Sequence, residues 1–121
     1  MPIKKILVVD DSPTERFALL EFLTKNGYHV VTADSGEEAV TKSKNEMPDL
    51  ILMDVVMPGT NGYQATRTIT RDEATRAIPV IMCTSKSLET DRIWGMRQGA
   101  HDYLVKPVNL PDLLARIRAM G

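Results

Sequence analysis

The chain holds a single cysteine, Cys83, so no internal disulfide can brace it. Cys83 lies in the apolar run "PVIMC", which reads as a small buried hydrophobe. No sign of charge dominates: 15 basic and 16 acidic side chains leave a formal net charge of -1. That balance excludes a general attraction to nucleic acid or to anionic membranes. No apolar run approaches a membrane span. The start "MPIKKILVV" reaches Asp10 too soon for a secretion signal, so a cytoplasmic protein is expected. Neither G-x-G-x-x-G nor G-x-x-x-x-G-K-[ST] occurs, which argues against a nucleotide-binding module. With no repeat, low-complexity segment or linker, residues 1–121 are expected to form one domain without a separate output domain.

What is present is an alternation of short apolar runs with longer, helix-like stretches. Ile6–Val9, Val30–Ala33, Leu50–Met53, Val80–Cys83 and Tyr103–Val105 are the strand candidates. Several are apolar at every position, as strands buried on both faces of a parallel sheet must be. Helix starts are marked between them. Ser12-Pro13-Thr14-Glu15 offers a cap, a proline and a glutamate, the pattern of a capping box. Ser35, Asn61 and Asn109 stand as further caps, the last with Asp112 in its first turn. Asn26-Gly27 and Gly99 mark helix ends. Five β/α units predict a doubly wound α/β domain, with the flavodoxin-like strand order 2-1-3-4-5 favoured. In that order the first and third strands are neighbours, and ligands bind beyond their carboxyl ends.

Asp10 and Asp11 end the first strand and Asp54 ends the third. Two carboxylates ~4 Å apart repel by about 4 kcal/mol at an effective dielectric of about 20. A cluster of three therefore calls for a cation. Oxygen-only ligands select a hard ion, Mg²⁺ above all. Thr84 and Lys106 end the fourth and fifth strands on the same edge. Such an edge can balance an incoming phosphoryl group, with Lys106 and a divalent ion opposing its charge and Thr84 donating a hydrogen bond. Asp54, on the central strand, is the candidate nucleophile, forming an acyl phosphate. Alone, each residue is ordinary: a strand-end aspartate is usually a cap, and a lysine before proline is usually a solvated turn. The set converging on one edge is what carries the chemistry.

The segments "VVDDSP", "DLILMDVVMPGTNG", "IPVIMCTSK" and "GAHDYLVKP" resemble a CheY-like response-regulator receiver domain over essentially the whole chain. The resemblance implies a signalling switch rather than an enzyme, with Asp54 the phospho-acceptor for a histidine kinase. Asp10 and Asp11 would hold Mg²⁺ together with Asp54 and the backbone carbonyl of Val56. Thr84 and Lys106 would grip the phosphoryl oxygens, and the Lys106–Pro107 peptide would be cis. Tyr103 resembles the switch aromatic that turns between outward and inward positions as Thr84 moves. The responding partner surface would be the fourth helix, fifth strand and fifth helix. The fourth helix, near Thr90–Gln98, contains Gly95, which weakens a helix interior, and its apolar residues are chiefly Ile93, Trp94 and Met96. Val56 and Lys86 flank the site and are expected to slow self-hydrolysis by hindering water. Ser85 stands where many receivers carry alanine or glycine.

The stretches "GYQATRTITRDEATRAIPVI" and "ETDRIWGMRQGAHDYLVKPV" are similar to stand-alone, PilH-like receivers of the type IV pilus twitching-motility system. That likeness implies a chemotaxis-like histidine kinase, an unidentified downstream target and a monomer. Three alternatives stay open at this stage. The protein could act as a phosphate sink for a shared kinase. A flavodoxin-like FMN-binding electron carrier would share the fold, although "DDSPT" offers acids where phosphate needs backbone amides. An aspartyl phosphatase would want an acid two residues beyond Asp54, where Val56 stands.

Overall fold

Apart from Thr32 in the second strand, the strand interiors are apolar or aromatic, as a sheet covered on both faces requires. In a computed structural model describing residues 2–121, five parallel strands lie in the order β2-β1-β3-β4-β5, as expected. The strands are β1 (Lys5–Val9), β2 (His29–Ala33), β3 (Leu50–Met53), β4 (Val80–Thr84) and β5 (Asp102–Val105). The helices are α1 (Pro13–Lys25), α2 (Gly36–Glu46), α3 (Gly62–Arg71), α4 (Glu89–Arg97) and α5 (Leu110–Met120).

Alternate residues of each strand enter different cores. Ile6 and Val8 join Leu50, Leu52, Leu19 and Leu23 of α1, and Leu113 and Ile117 of α5. Leu7 and Val9 join Ile51 and Met53 with Ala39 of α2 and Ala65 and Ile69 of α3. Both faces are covered, which is why the strands carry no polar face. Cys83 is buried in the first core, and burial pushes its thiol up to about 12, an inert packing residue. Among the described residues no helix is long and apolar enough to cross a membrane.

The caps largely match the sequence. Ser12, Ser35, Asn61 and Asn109 each accept a hydrogen bond from the N–H three residues on. The full capping box forms only at Asn61, where Gln64 reaches back to the Asn61 N–H. At Ser12 the reciprocal arm is missing, because the Ser12 N–H is taken by Asp10 Oδ1 at 2.9 Å. Gly27 and Gly99 follow their helices with positive φ.

α4 differs from the other helices. Its N-cap, Leu88, makes no side-chain bond, and the only buried residue within the helix is Gly95. Ile93, Trp94 and Met96 are partly exposed, so none of them is a core residue.

Candidate functional site

Register builds the site. Val9 pairs with Met53, so the next residues, Asp10 and Asp54, stand abreast at the carboxyl edge. The Asp54 N–H donates to the Val9 carbonyl at 3.0 Å, which fixes that juxtaposition. One strand further, the Lys106 N–H donates to the Thr84 carbonyl at 2.8 Å. The five residues picked out by sequence thus meet at one edge, around the β1–β3 neighbourhood where the winding reverses.

Asp10, Asp11 and Asp54 each offer a carboxylate oxygen within 4.8 Å of the others. Asp10 and Asp54 are buried and Asp11 is exposed. Lys106 Nζ lies 2.9 Å from Asp10 Oδ2 and 3.5 Å from Asp54 Oδ1. It also lies 3.0 Å from Glu15 Oε2, a partner the sequence did not reveal. Glu15 fits the capping-box position, and nothing local in the sequence shows that its carboxylate turns instead to a lysine 91 residues away.

Burial raises the Asp54 carboxyl from its ordinary 3.8 to about 6; Lys106 opposes the rise and Asp10 adds to it. For Lys106, burial works against the charged form, but the hydrogen bonds to Asp10 and Glu15 outweigh it. The ammonium is therefore held above the ordinary lysine value. One lysine leaves the acids under-neutralised. The donor set is all oxygen, close together and open to solvent at Asp11, and it fits a hard divalent cation such as Mg²⁺. Asp11, Glu15, Asp54, Val56, Ser85, Lys106 and Pro107 line an open cleft of about 470 Å³.

Gly62 is a second contributor that sequence reasoning passed over. A Cβ there would stand 2.1 Å from the Asp54 carbonyl oxygen and 2.7 Å from Val55 Cα. Only glycine lets α3 start this close to Asp54.

Thr84 is fully buried, and its Oγ1 accepts the Lys86 N–H at 3.2 Å. Tyr103 is also buried, and its hydroxyl donates to the Lys86 carbonyl at 2.9 Å. Both groups therefore hold the same residue of the β4–α4 loop. Tyr63 reaches the first turn of α4, donating to the Asp91 carbonyl at 3.1 Å. The Lys106–Pro107 peptide is cis.

The sequence profile described as the response regulator receiver domain matches residues 6–118. The chain belongs to the response-regulator receiver family. This receiver is 53% identical to the protein PilH of Pseudomonas aeruginosa over 116 residues, 96% of either chain. It is 39% identical to the phosphate regulon regulator PhoB of Escherichia coli, but spans only 51% of that protein. Among solved structures it superposes on the Vibrio cholerae chemotaxis protein CheY4 with a TM-score of 0.91. Identity there is 31%, over 98% of this chain and 99% of the other. The receiver domain of the Pseudomonas aeruginosa sensor histidine kinase PA1611, solved with magnesium in its active-site cleft, gives a TM-score of 0.88. It is 34% identical, over 96% of this receiver and 95% of that chain.

Proposed function

We propose that this receiver is a phosphorylation-operated switch in which Asp54 accepts a phosphoryl group from a histidine kinase. The observation that carries this reading is the convergence of Asp10, Asp11 and Asp54 within 4.8 Å, with Lys106 3.5 Å from Asp54. An Asp54 carboxylate oxygen forms a bond to phosphorus as the P–N bond of a phosphohistidine breaks. The nucleophile is the anion, which burial disfavours and Lys106 favours. Lys106 pairs with a phosphoryl oxygen, and the Thr84 hydroxyl donates to another. Asp10, Asp11, Asp54 and the Val56 carbonyl would hold Mg²⁺, which when bound supplies neutralisation of the phosphoryl charge.

Output passes through the surface of the receiver. As Thr84 turns toward the phosphoryl group it gives up the Lys86 N–H, and the β4–α4 loop shifts. Tyr103 and α4 respond, because the Tyr103 hydroxyl is bound to the same residue. The exposed Leu88, Ile93, Trp94 and Val105, on α4 and β5, support the α4–β5–α5 face as the one that meets a target. Val56, half exposed beside the cleft, hinders the attacking water and lengthens the life of the phosphoryl group.

The near full-length likeness to PilH supports a place in type IV pilus or chemotaxis-like signalling. Incubation with acetyl phosphate and Mg²⁺ tests the chemistry. A hydroxylamine-sensitive gain of one phosphoryl mass, absent in Asp54→Ala, is expected; the same gain in that variant removes Asp54 from its role.

A further inference from the structure

We propose that Glu15 is a latch on Lys106: its carboxylate draws the ammonium toward α1 while Asp54 is unmodified, and lets go when a phosphoryl group arrives. The proposal rests on the reading of Asp54 as the acceptor.

An ammonium has three N–H bonds to place. Lys106 gives two short contacts, to Asp10 Oδ2 at 2.9 Å and Glu15 Oε2 at 3.0 Å. Asp54 Oδ1, at 3.5 Å, lies beyond good hydrogen-bond length. The lysine is therefore committed to the α1 side of the cleft. Its preference has a local cause. In a closed capping box the third-position side chain returns to the cap N–H, as Gln64 does to Asn61 at 3.0 Å in this same chain. Asp10 occupies the Ser12 N–H, so the Glu15 carboxylate is displaced and finds Lys106 instead.

Of the two short contacts, Glu15 is the one that can be released. Its side chain is 49% exposed, and water can take over its charge as the lysine leaves. The Asp10 side chain is 2% exposed and cannot be rehydrated so readily. A phosphoryl group on Asp54 adds negative charge on the far side of the ammonium and shifts the competition away from Glu15. Glu15 thus stabilises the unmodified site more than the transition state, and acts as a positioning residue that slows phosphorylation.

Glu15→Gln keeps the length of the side chain and removes its charge. With acetyl phosphate at saturating Mg²⁺, phosphorylation of Asp54 should run roughly two- to fivefold faster, the range expected of a partly exposed ion pair. In a Lys106→Ala background the same substitution should change nothing, since the latch then has nothing to hold. A rate in Glu15→Gln equal to or below that of the wild type overturns the latch. So does an acceleration that survives in Lys106→Ala, because the charge would then be acting directly on the anionic donor. A phosphoryl gain that persists in Asp54→Ala overturns the acceptor reading, and the latch with it. An unaltered Glu15→Gln rate in protein that does react at Asp54 sinks the latch alone.

Discussion

Gly95 and Tyr103 approach so closely that a Cβ on Gly95 would stand 3.0 Å from Tyr103 Cδ2 and 2.8 Å from Met82 Sδ. The glycine is thus a packing residue as well as a helix weakener. With no large apolar side chain of α4 buried, this backbone-to-ring contact is central to how the helix meets the sheet. Gly95→Ala should gain about 1 kcal/mol of helix propensity and lose about 1–3 kcal/mol to overpacking. Net destabilisation is expected in urea denaturation, with the Trp94 emission altered. A variant more stable than wild type would show that the ring and the methionine yield freely.

Removing the Tyr103 hydroxyl separates packing from hydrogen bonding. Tyr103→Phe keeps the ring and deletes the bond to the Lys86 carbonyl, for a loss of about 1 kcal/mol. Amide hydrogen exchange should quicken in the β4–α4 loop and the first turn of α4, and stay unchanged in β1. Uniform exchange across the molecule would count against a local tether.

Asp54 should make the fold pH-sensitive in the absence of divalent cations. Its carboxyl sits at about 6 in the folded protein, against an ordinary 3.8. A raised carboxyl contributes stability that is fully present below 3.8 and lost as pH climbs through 6. By pH 7.5 the buried charge is a penalty of up to roughly 3 kcal/mol with Lys106 already in place, lessened by solvent screening at the open cleft. Asp54→Asn removes it, and should be about 1–2 kcal/mol more stable than wild type at pH 7.5 in EDTA. Thermal melts across the range should show the gap closing toward pH 4. A constant gap would mean that the gain comes from packing.

Magnesium should relieve the same repulsion. At about ten times its dissociation constant the ion should stabilise the wild type by ~1.4 kcal/mol. The effect should reverse with EDTA and fall sharply in Asp11→Asn, which deletes the exposed carboxylate of the cluster. Equal shifts in wild type and variant would place the ion elsewhere.

Much of this protein is legible along the chain, because it depends on local preference and on period. Apolar strands without a polar face demand cover on both sides. Ser12, Ser35, Asn61 and Asn109 announce helix starts through groups within three residues. Strand ends place Asp10, Asp11, Asp54, Thr84 and Lys106 on one edge once a parallel order is accepted. Tertiary structure decided what depends on distances between segments remote in sequence. It sent Glu15 to Lys106 instead of back to Ser12, because Asp10 had already taken the Ser12 N–H. It made Gly62 indispensable through backbone atoms of Asp54 and Val55, and set Gly95 tightly against Tyr103 and Met82. It also buried the Tyr103 ring and turned Trp94 partly toward solvent. A sequence lists donors, acceptors and volumes, but competition for the same partner is settled only where the folded chain brings the rivals within reach.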